Sequence, residues 1–313
     1  MSDLLPPLPL LDGALLIDNS SIKACPRFME YSWLRRRLSA GDRPALNFGA
    51  GLHVGLAAHY HGLPYAAPMI KYFEENPQPA TEYRSLDYAL TTMEAYCKRW
   101  PVEDFKIVPN TNGEPCIEAS FMHKLGSVHS LDIYFTGRID LIVENQEGVW
   151  ILDHKTSSQF GKSFDDEMFV SAQMRGYCWS YQQAFGRKPM GYIVNGIRTR
   201  PPTKEEALLS AYGAKAKGRE DNFARLPWHV TQDEIDEWQE DTLNRVSTLL
   251  FQYDRGRFER HKEQCVTKYG KCQFYNVCTL PRQQRMTELY GESFMENVWS
   301  PLNKPENNQQ KES

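Results

Sequence analysis

Two apolar runs each deliver one acidic residue: Gly137-Arg138-Ile139-Asp140-Leu141-Ile142-Val143 and Trp150-Ile151-Leu152-Asp153-His154-Lys155-Thr156. Side chains of an extended strand alternate between faces, so Asp153 and Lys155 point the same way. The link Glu144-Asn145-Gln146-Glu147-Gly148 is polar and short enough for a hairpin. Pairing the two strands brings Asp140 beside Asp153 and Lys155. Two carboxylates and an ammonium at one spot suit a hard divalent cation and a charged nucleophile. Such a site can activate a water, neutralise charged oxygens of a substrate and help a leaving oxyanion. Asp140 and Asp153 are oxygen ligands of the kind Mg²⁺ or Mn²⁺ takes. Lys155 stays protonated among carboxylates, which assigns it electrostatic stabilisation ahead of general-base work. The alternative for the two aspartates is a strand-end turn or a salt bridge to Lys155.

Further elements lie in a fixed order around this pair. Upstream stands Phe48-Gly49-Ala50-Gly51-Leu52-His53, a glycine-then-histidine segment. Downstream stands Gln173-Met174-Arg175-Gly176-Tyr177, which has the form Q-x-x-x-Y. Cys25 lies near the start, and Cys265, Cys272 and Cys278 lie near the end. Together with Gly-Arg-Ile-Asp and Leu-Asp-His-Lys-Thr, this set resembles the PD-(D/E)XK nucleases in their RecB-like branch, over roughly residues 20 to 280. The split cysteines resemble those of its iron–sulfur members, which include CRISPR-adaptation nucleases, bacterial recombination nucleases and phage proteins.

The resemblance implies an α/β fold: a mixed central β-sheet flanked by helices, with a restriction-endonuclease-like core. Helical N- and C-terminal additions would be tied together by a metal cluster. It implies a Mg²⁺- or Mn²⁺-dependent deoxyribonuclease, an exonuclease acting on single strands or duplex ends in repair, recombination or phage DNA processing. His53 would be a third metal ligand and favour Mn²⁺, since imidazole is a softer donor. The backbone carbonyl of His154 would be a further ligand. Glu118, in Ile117-Glu118-Ala119-Ser120-Phe121, sits where the family often carries an acidic residue, for a second metal or a bridging water. Gln173 and Tyr177, one helical turn apart, share a face and would reach the active site. Cys25, Cys265, Cys272 and Cys278 would hold a structural [4Fe–4S] cluster.

Each element has a plainer reading. His53 could be a satisfied histidine in an alanine- and glycine-rich helix, with His59 and His61 close by. Glu118 could be an exposed strand residue, and Gln173 and Tyr177 helix surface. Iron–sulfur relatives often place two C-terminal cysteines three apart, whereas the gap from Cys265 to Cys272 is seven. Zinc is therefore the alternative cluster metal, and unligated thiols a third possibility. Cys97, Cys116 and Cys178 fit no pattern and read as buried small residues. A competing function is an iron–sulfur DNA-binding or assembly subunit with a catalytically silent nuclease fold. An RNA-directed nuclease is a weaker third.

With 313 residues, 41% hydrophobic and 12% aromatic, the chain can build a sizeable core. No stretch approaches the ~20 apolar residues of a membrane span. The start has no basic n-region and is broken by prolines, so it does not read as a signal peptide. A reducing, cytoplasmic setting is expected from that, and seven cysteines, an odd count, also argue against a closed disulfide framework. Net charge is −4, so steering of a phosphate backbone must come from local positive surface. Arg35-Arg36-Arg37, Arg198, Arg200 and Lys204 are candidates for it. No G-x-x-x-x-G-K-[ST] motif is present, because Thr156 stands where Gly161-Lys162-Ser163 would need its first glycine. Any unwinding then falls to a separate helicase or recombination partner. Neither G-x-S-x-G nor H-E-x-x-H occurs. A homo-oligomer is compatible with the sequence, but nothing demands it.

Along the chain, residues 1–19 read as an irregular arm. Residues 20–104 read as a helical region carrying Cys25 and His53, with helices over 22–38, 47–60 and 85–99. Residues 105–200 form the nuclease core. Its strands are expected near 105–108, 116–125, 130–143, 149–156 and 190–197, with one helix from Asp165 or Asp166 to Phe185. Residues 201–300 hold a loop (203–222), a long helix (233–257) and the cysteine segment. Residues 301–313 read as a disordered tail.

Overall fold

The computed structural model describes residues 5–19, 21, 25–41, 43–79, 82–158, 160–200, 222–267 and 270–297. The chain divides into two compact units, each discontinuous in sequence. One comprises residues 1–41, 120–138 and 233–313, and the other residues 42–119 and 139–232.

In the first unit, strands β1 (Leu10–Leu11) and β2 (Ala14–Ile17) form an antiparallel hairpin. Asp12 and Gly13 turn it at φ +50° and +81°. Strand β2 then runs parallel to the strand Leu131–Asn145, with Leu15 opposite Ile133. The expected irregular arm therefore holds a hairpin over residues 10–17, with alternate side chains Leu15 and Ile17 of its second strand buried. The helix expected over 22–38 is also shorter. Helix α1 (Pro26–Met29) passes into a π-helical turn over Glu30–Leu34. Arg36 then takes φ +50°, which no continuing helix permits, and β3 (Arg37–Ser39) follows. A long helix spans Gln232–Asp254 and buries Ile235, Trp238, Thr242, Val246, Leu249 and Leu250, the spacing of one helical face.

The second unit begins with α2 (Pro44–Tyr60), started by a proline in its first turn. Helices α3 (Ala66–Glu75) and α4 (Leu86–Arg99) pack with it around Phe48, Leu52, Met69, Phe73, Met93 and Tyr96. Ser85 caps α4, its Oγ accepting from the Tyr88 N–H at 3.2 Å. Helix α3 was not expected; Pro64 and Pro68 interrupt its apolar pattern. A Cβ at Gly51 would stand 2.5 Å from the Phe73 ring, so that glycine lets α2 and α3 close.

The strands are β4 (Lys106–Ile107), β5 (Ile117–Val128), β6 (Leu131–Asn145) and β7 (Gly148–Ser157). Helices α5 (Lys162–Phe169) and α6 (Ala172–Phe185) follow, then β8 (Gly191–Arg198) and β9 (Phe223–His229). The hairpin β6–β7 is antiparallel, with Leu141 opposite Leu152. Strands β7 and β8 are parallel, and α5 and α6 make the crossover that parallel strands require. Strand β9 returns antiparallel to β8. The result is the mixed sheet with flanking helices that the sequence led us to expect. Val149 to His154 are all buried, as a central strand covered on both faces should be.

The single helix expected up to Phe185 is two. The Tyr192 hydroxyl lies 3.0 and 3.1 Å from the carbonyl oxygens of Met168 and Phe169, at the end of α5. The loop expected over 203–222 lies outside the described residues apart from Asn222, as does the tail 301–313. Among the described residues no helix is long and apolar enough to cross a membrane.

Candidate active site

The hairpin β6–β7 and helix α2 supply the centre of the second unit. Asp140 on β6 is 8% exposed and Asp153 on β7 is 2% exposed. His53 enters from α2, one turn after Gly49. A Cβ at position 49 would stand 2.9 Å from Thr156 Oγ1, so the glycine lets α2 lie close against β7. His53 Nδ1 lies 3.5 Å from Asp140 Oδ2 and 4.0 Å from Glu118 Oε1. Ligand atoms of His53, Glu118 and Asp140 all fall within 4.8 Å of one another. His53 Nε2 faces the His154 carbonyl oxygen at 3.0 Å, and the His154 N–H donates to Asp140 Oδ2 at 2.7 Å. Glu118 takes φ +49°, a left-handed conformation costly to a side chain with a Cβ, near the start of β5.

Asp153 and Lys155 share one face of β7, as strand alternation requires, and Asp153 stands beside Asp140 across the hairpin register. Lys155 Nζ lies 2.6 Å from Asp153 Oδ2 and donates to Gln173 Oε1 at 2.9 Å. Gln173 Nε2 donates in turn to the Tyr177 hydroxyl at 2.9 Å. Gln173 and Tyr177 are thus joined to the lysine from α6, and Tyr177 is 5% exposed. Asp153 Oδ2 is closed to solvent and, beyond its ion pair, accepts no hydrogen bond among the described residues. A buried carboxylate oxygen with that spare capacity is what a bound cation would satisfy.

Electrostatics follow from crowding. Burial opposes charge on His53, but Asp140, Glu118 and Asp153 outweigh it and raise its pKa from 6.5 to about 9. Burial likewise opposes charge on Asp140, yet His53 holds that carboxyl well below its ordinary range. Asp153 moves the other way: burial and the Asp140 charge raise it against the pull of Lys155. Burial lowers His154 to about 3, so its ring is neutral. Burial, with Asp153 and Asp140, pushes the Tyr177 hydroxyl up. Without a metal, protonated His53 is the counter-ion of the carboxylates. A divalent cation can take its place, so the donor set fits Mg²⁺ or Mn²⁺.

Several residues behind His154 were not anticipated: Tyr60, Tyr96, Glu103, Asn195 and Arg225. They come from four elements and a loop, and no motif marks them. The expected basic surface is only partly available. Arg35 is buried and bonded to Glu30 at 3.0 Å, and Arg37 donates to the carbonyls of Leu289 and Phe294. Arg198 lies over the Phe160 ring, and Lys204 is outside the described residues.

The first unit brings together the four cysteines. Cys25, Cys265, Cys272 and Cys278 line one cavity of about 330 Å³, with Phe28 and Arg260 on its wall. Gly270, at φ +106°, turns the short hairpin between Cys265 and Cys272. The Cys272 N–H donates to the Cys265 carbonyl at 2.9 Å. Burial, and then the neighbouring cysteines, raise the thiol pKa of Cys272; burial takes Cys278 up to about 11. Among the described residues no three of these sulfurs lie within 4.8 Å of one another. Tetrahedral zinc, with Zn–S of about 2.3 Å, holds thiolates about 3.8 Å apart. Of the remaining cysteines, Cys116 and Cys178 are buried, and Cys97 Sγ faces His59 Nδ1 at 3.7 Å.

The family model of the PD-(D/E)XK nuclease superfamily matches residues 23–279, and the chain belongs to that superfamily. It is therefore a nuclease of a family that works with divalent metals. Among solved structures, it is similar to a candidate exonuclease from Eubacterium rectale, at 14% identity and a TM-score of 0.45, over 86% of each chain. It is also similar to SSO0001, at 13% identity and a TM-score of 0.31, over 76% of this chain and 79% of the other. A search of curated proteins gives no match.

Proposed function

We propose that this nuclease is a Mg²⁺- or Mn²⁺-dependent deoxyribonuclease of the RecB-like branch that digests DNA from single strands or ends. The observation that carries the reading is the convergence of His53, Glu118 and Asp140 within 4.8 Å, beside an Asp153–Lys155 pair at 2.6 Å. His53, Asp140, Asp153, the His154 carbonyl and Glu118 would hold the ion. Bound there, a divalent cation supplies an acidic water and neutralises charge on the phosphate. Lys155, paired with Asp153 and aimed by Gln173, stabilises charge developing on the scissile phosphate. Tyr177 fixes the rotamer of Gln173 through their hydrogen bond.

The four-cysteine cavity supports a [4Fe–4S] cluster that staples residues near both ends of the chain within the first unit. Its role there is structural. DNA is the substrate, and a separate helicase or recombination protein would supply strand opening, since the chain lacks an ATP-binding motif.

The test uses purified full-length protein with end-labelled single- and double-stranded DNA, plus matched RNA, in Mn²⁺, Mg²⁺ or chelator. Metal-dependent release of short products from DNA, abolished by Asp153→Ala and by Lys155→Ala, supports the reading. Binding of DNA with no cleavage under any metal would instead favour a silent fold serving as a DNA-binding subunit. Protein purified without oxygen should be brown and carry iron and sulfide; colourless protein with one zinc per chain would remove the cluster and leave the nuclease.

A further inference from the structure

His154, Asn195 and Arg225 lie side by side on three neighbouring strands: His154 pairs with Asn195 across β7–β8, and Asn195 with Arg225 across β8–β9. The His154 ring lies on the α2 face, opposite Asp153 and Lys155. It is stacked on Tyr60, with centroids 5.8 Å apart and planes at 13°. Its Nδ1 lies 2.7 Å from Asn195 Nδ2.

Hydrogen accounting fixes the direction of the network. The Tyr60 hydroxyl donates to Glu103 Oε1 at 2.9 Å. A hydroxyl has one hydrogen, so Tyr60 must accept from the Tyr96 hydroxyl at 2.6 Å. Tyr96 has then spent its hydrogen and accepts from Asn195 Nδ2 at 2.9 Å and from Arg225 Nη2 at 3.3 Å. The amide nitrogen of Asn195 therefore faces both Tyr96 and His154. His154 Nδ1 is an acceptor, and its proton sits on Nε2. At the far end Arg225 grips both oxygens of Glu103, at 2.6 and 2.8 Å, which balances the carboxylate.

The peptide of the same histidine joins the ion site. Its N–H donates to Asp140 Oδ2 at 2.7 Å and its carbonyl meets His53 Nε2 at 3.0 Å. Fixing the ring fixes the residue whose backbone touches two of the three clustered ligands. Burying an imidazole, an amide and two phenols costs more than burying the aliphatic side chains that fill Leu152, Ile193 and Val194 nearby. A use beyond filling space would explain their presence.

We propose that Asn195, backed by Tyr96, Tyr60 and the Glu103–Arg225 pair, is the positioning residue of the ion site. It sets the His154 peptide so that the carbonyl and the Asp140 carboxylate stand in place before a cation arrives. This inference rests on the metal-dependent reading above.

The experiment measures Mn²⁺ affinity by electron paramagnetic resonance for the full-length protein, Asn195→Leu and Tyr60→Phe, with Met93→Leu as a core control. Loss of an outer partner of a metal ligand costs about 10- to 100-fold in affinity, the range expected for Asn195→Leu. Tyr60→Phe keeps the stacked ring and removes only the relay, so a smaller loss is expected, and it decides alone if Asn195→Leu does not fold. Hydrogen exchange of the His154 amide should quicken in both, while Met93→Leu leaves affinity unchanged. Variants that melt earlier but bind Mn²⁺ as the wild type does would reduce the network to packing and overturn the inference. Wild-type protein that binds no Mn²⁺ would overturn the metal reading, and this inference with it.

Discussion

Lys155 Nζ stands 2.6 Å from Asp153 Oδ2, two residues away on the same face of one strand, and the pair is closed from behind by Gln173. The contact is a stabilising ion pair only while no cation is bound. With a divalent ion on Asp153, the lysine becomes a neighbouring like charge. Lys155→Ala should therefore cut turnover by about 100-fold or more, the scale of losing an electrostatic stabiliser, while Mn²⁺ affinity holds or rises. Asp153→Asn should lose both. Parallel calorimetric titration and cleavage assays separate the two outcomes; Lys155→Ala losing affinity as steeply as Asp153→Asn would assign the lysine to holding the site's shape.

The His53 imidazole gives a pH dependence with a definite sign. Its pKa in the metal-free fold is raised from 6.5 to about 9 by Asp140, Glu118 and Asp153 against burial. A ligand nitrogen must lose its proton to bind metal, so Mn²⁺ affinity should climb with pH and level off above about 9. The stability linked to the same group is fully present below 6.5 and is lost as pH rises through about 9. The melting temperature of chelator-treated protein should fall across that window, and His53→Gln should flatten the change.

Gly49 keeps α2 against β7 by having no side chain within reach of Thr156. Gly49→Ala places a methyl 2.9 Å from Thr156 Oγ1. Overpacking of this kind costs about 1–3 kcal/mol, offset in part by the better helix propensity of alanine. Activity should drop by more than the stability does, because His53 rides on the displaced turn. Denaturant melts beside cleavage rates will show it; Gly49→Ala with wild-type turnover would mean that the helix position does not matter to the site.

Glu118 holds a left-handed backbone at φ +49°. That conformation costs a side-chain-bearing residue about 1–2 kcal/mol, which a glycine does not incur. Glu118→Gly should leave stability unchanged or slightly raised while weakening Mn²⁺ binding. A variant that is both less stable and unaltered in metal affinity would show that the carboxylate serves the fold alone.

The Asp153–Lys155 doublet was readable in advance because its geometry is local. A strand's two-residue period put Asp153 and Lys155 on one face, and a helical turn put Gln173 beside Tyr177. The helix over 86–99 carries its own periodic and capping signals, and the one over 44–60 opens on a proline. The rest depends on contacts between distant residues. Arg225 meets Tyr96 across 129 positions, so no window of sequence reveals the network behind His154. Strand β9 holds Pro227 and, among the described residues, pairs only with β8, an edge position where proline is tolerated but which reads as a break. The helix expected to continue to residue 38 stops because Arg36 turns left-handed, which nothing in an arginine triplet announces. The φ of Glu118 is equally silent in sequence, although its acidic side chain at that spot was not.

Crystals of the full-length protein soaked in Mn²⁺ and measured at a wavelength with strong manganese anomalous scattering address the central claim most directly. The account predicts a peak at bonding distance from Asp140, Asp153, His53 and the His154 carbonyl, lost in Asp140→Asn crystals grown the same way. Saturating Mn²⁺ with no peak there, or a peak that persists without Asp140, would contradict it.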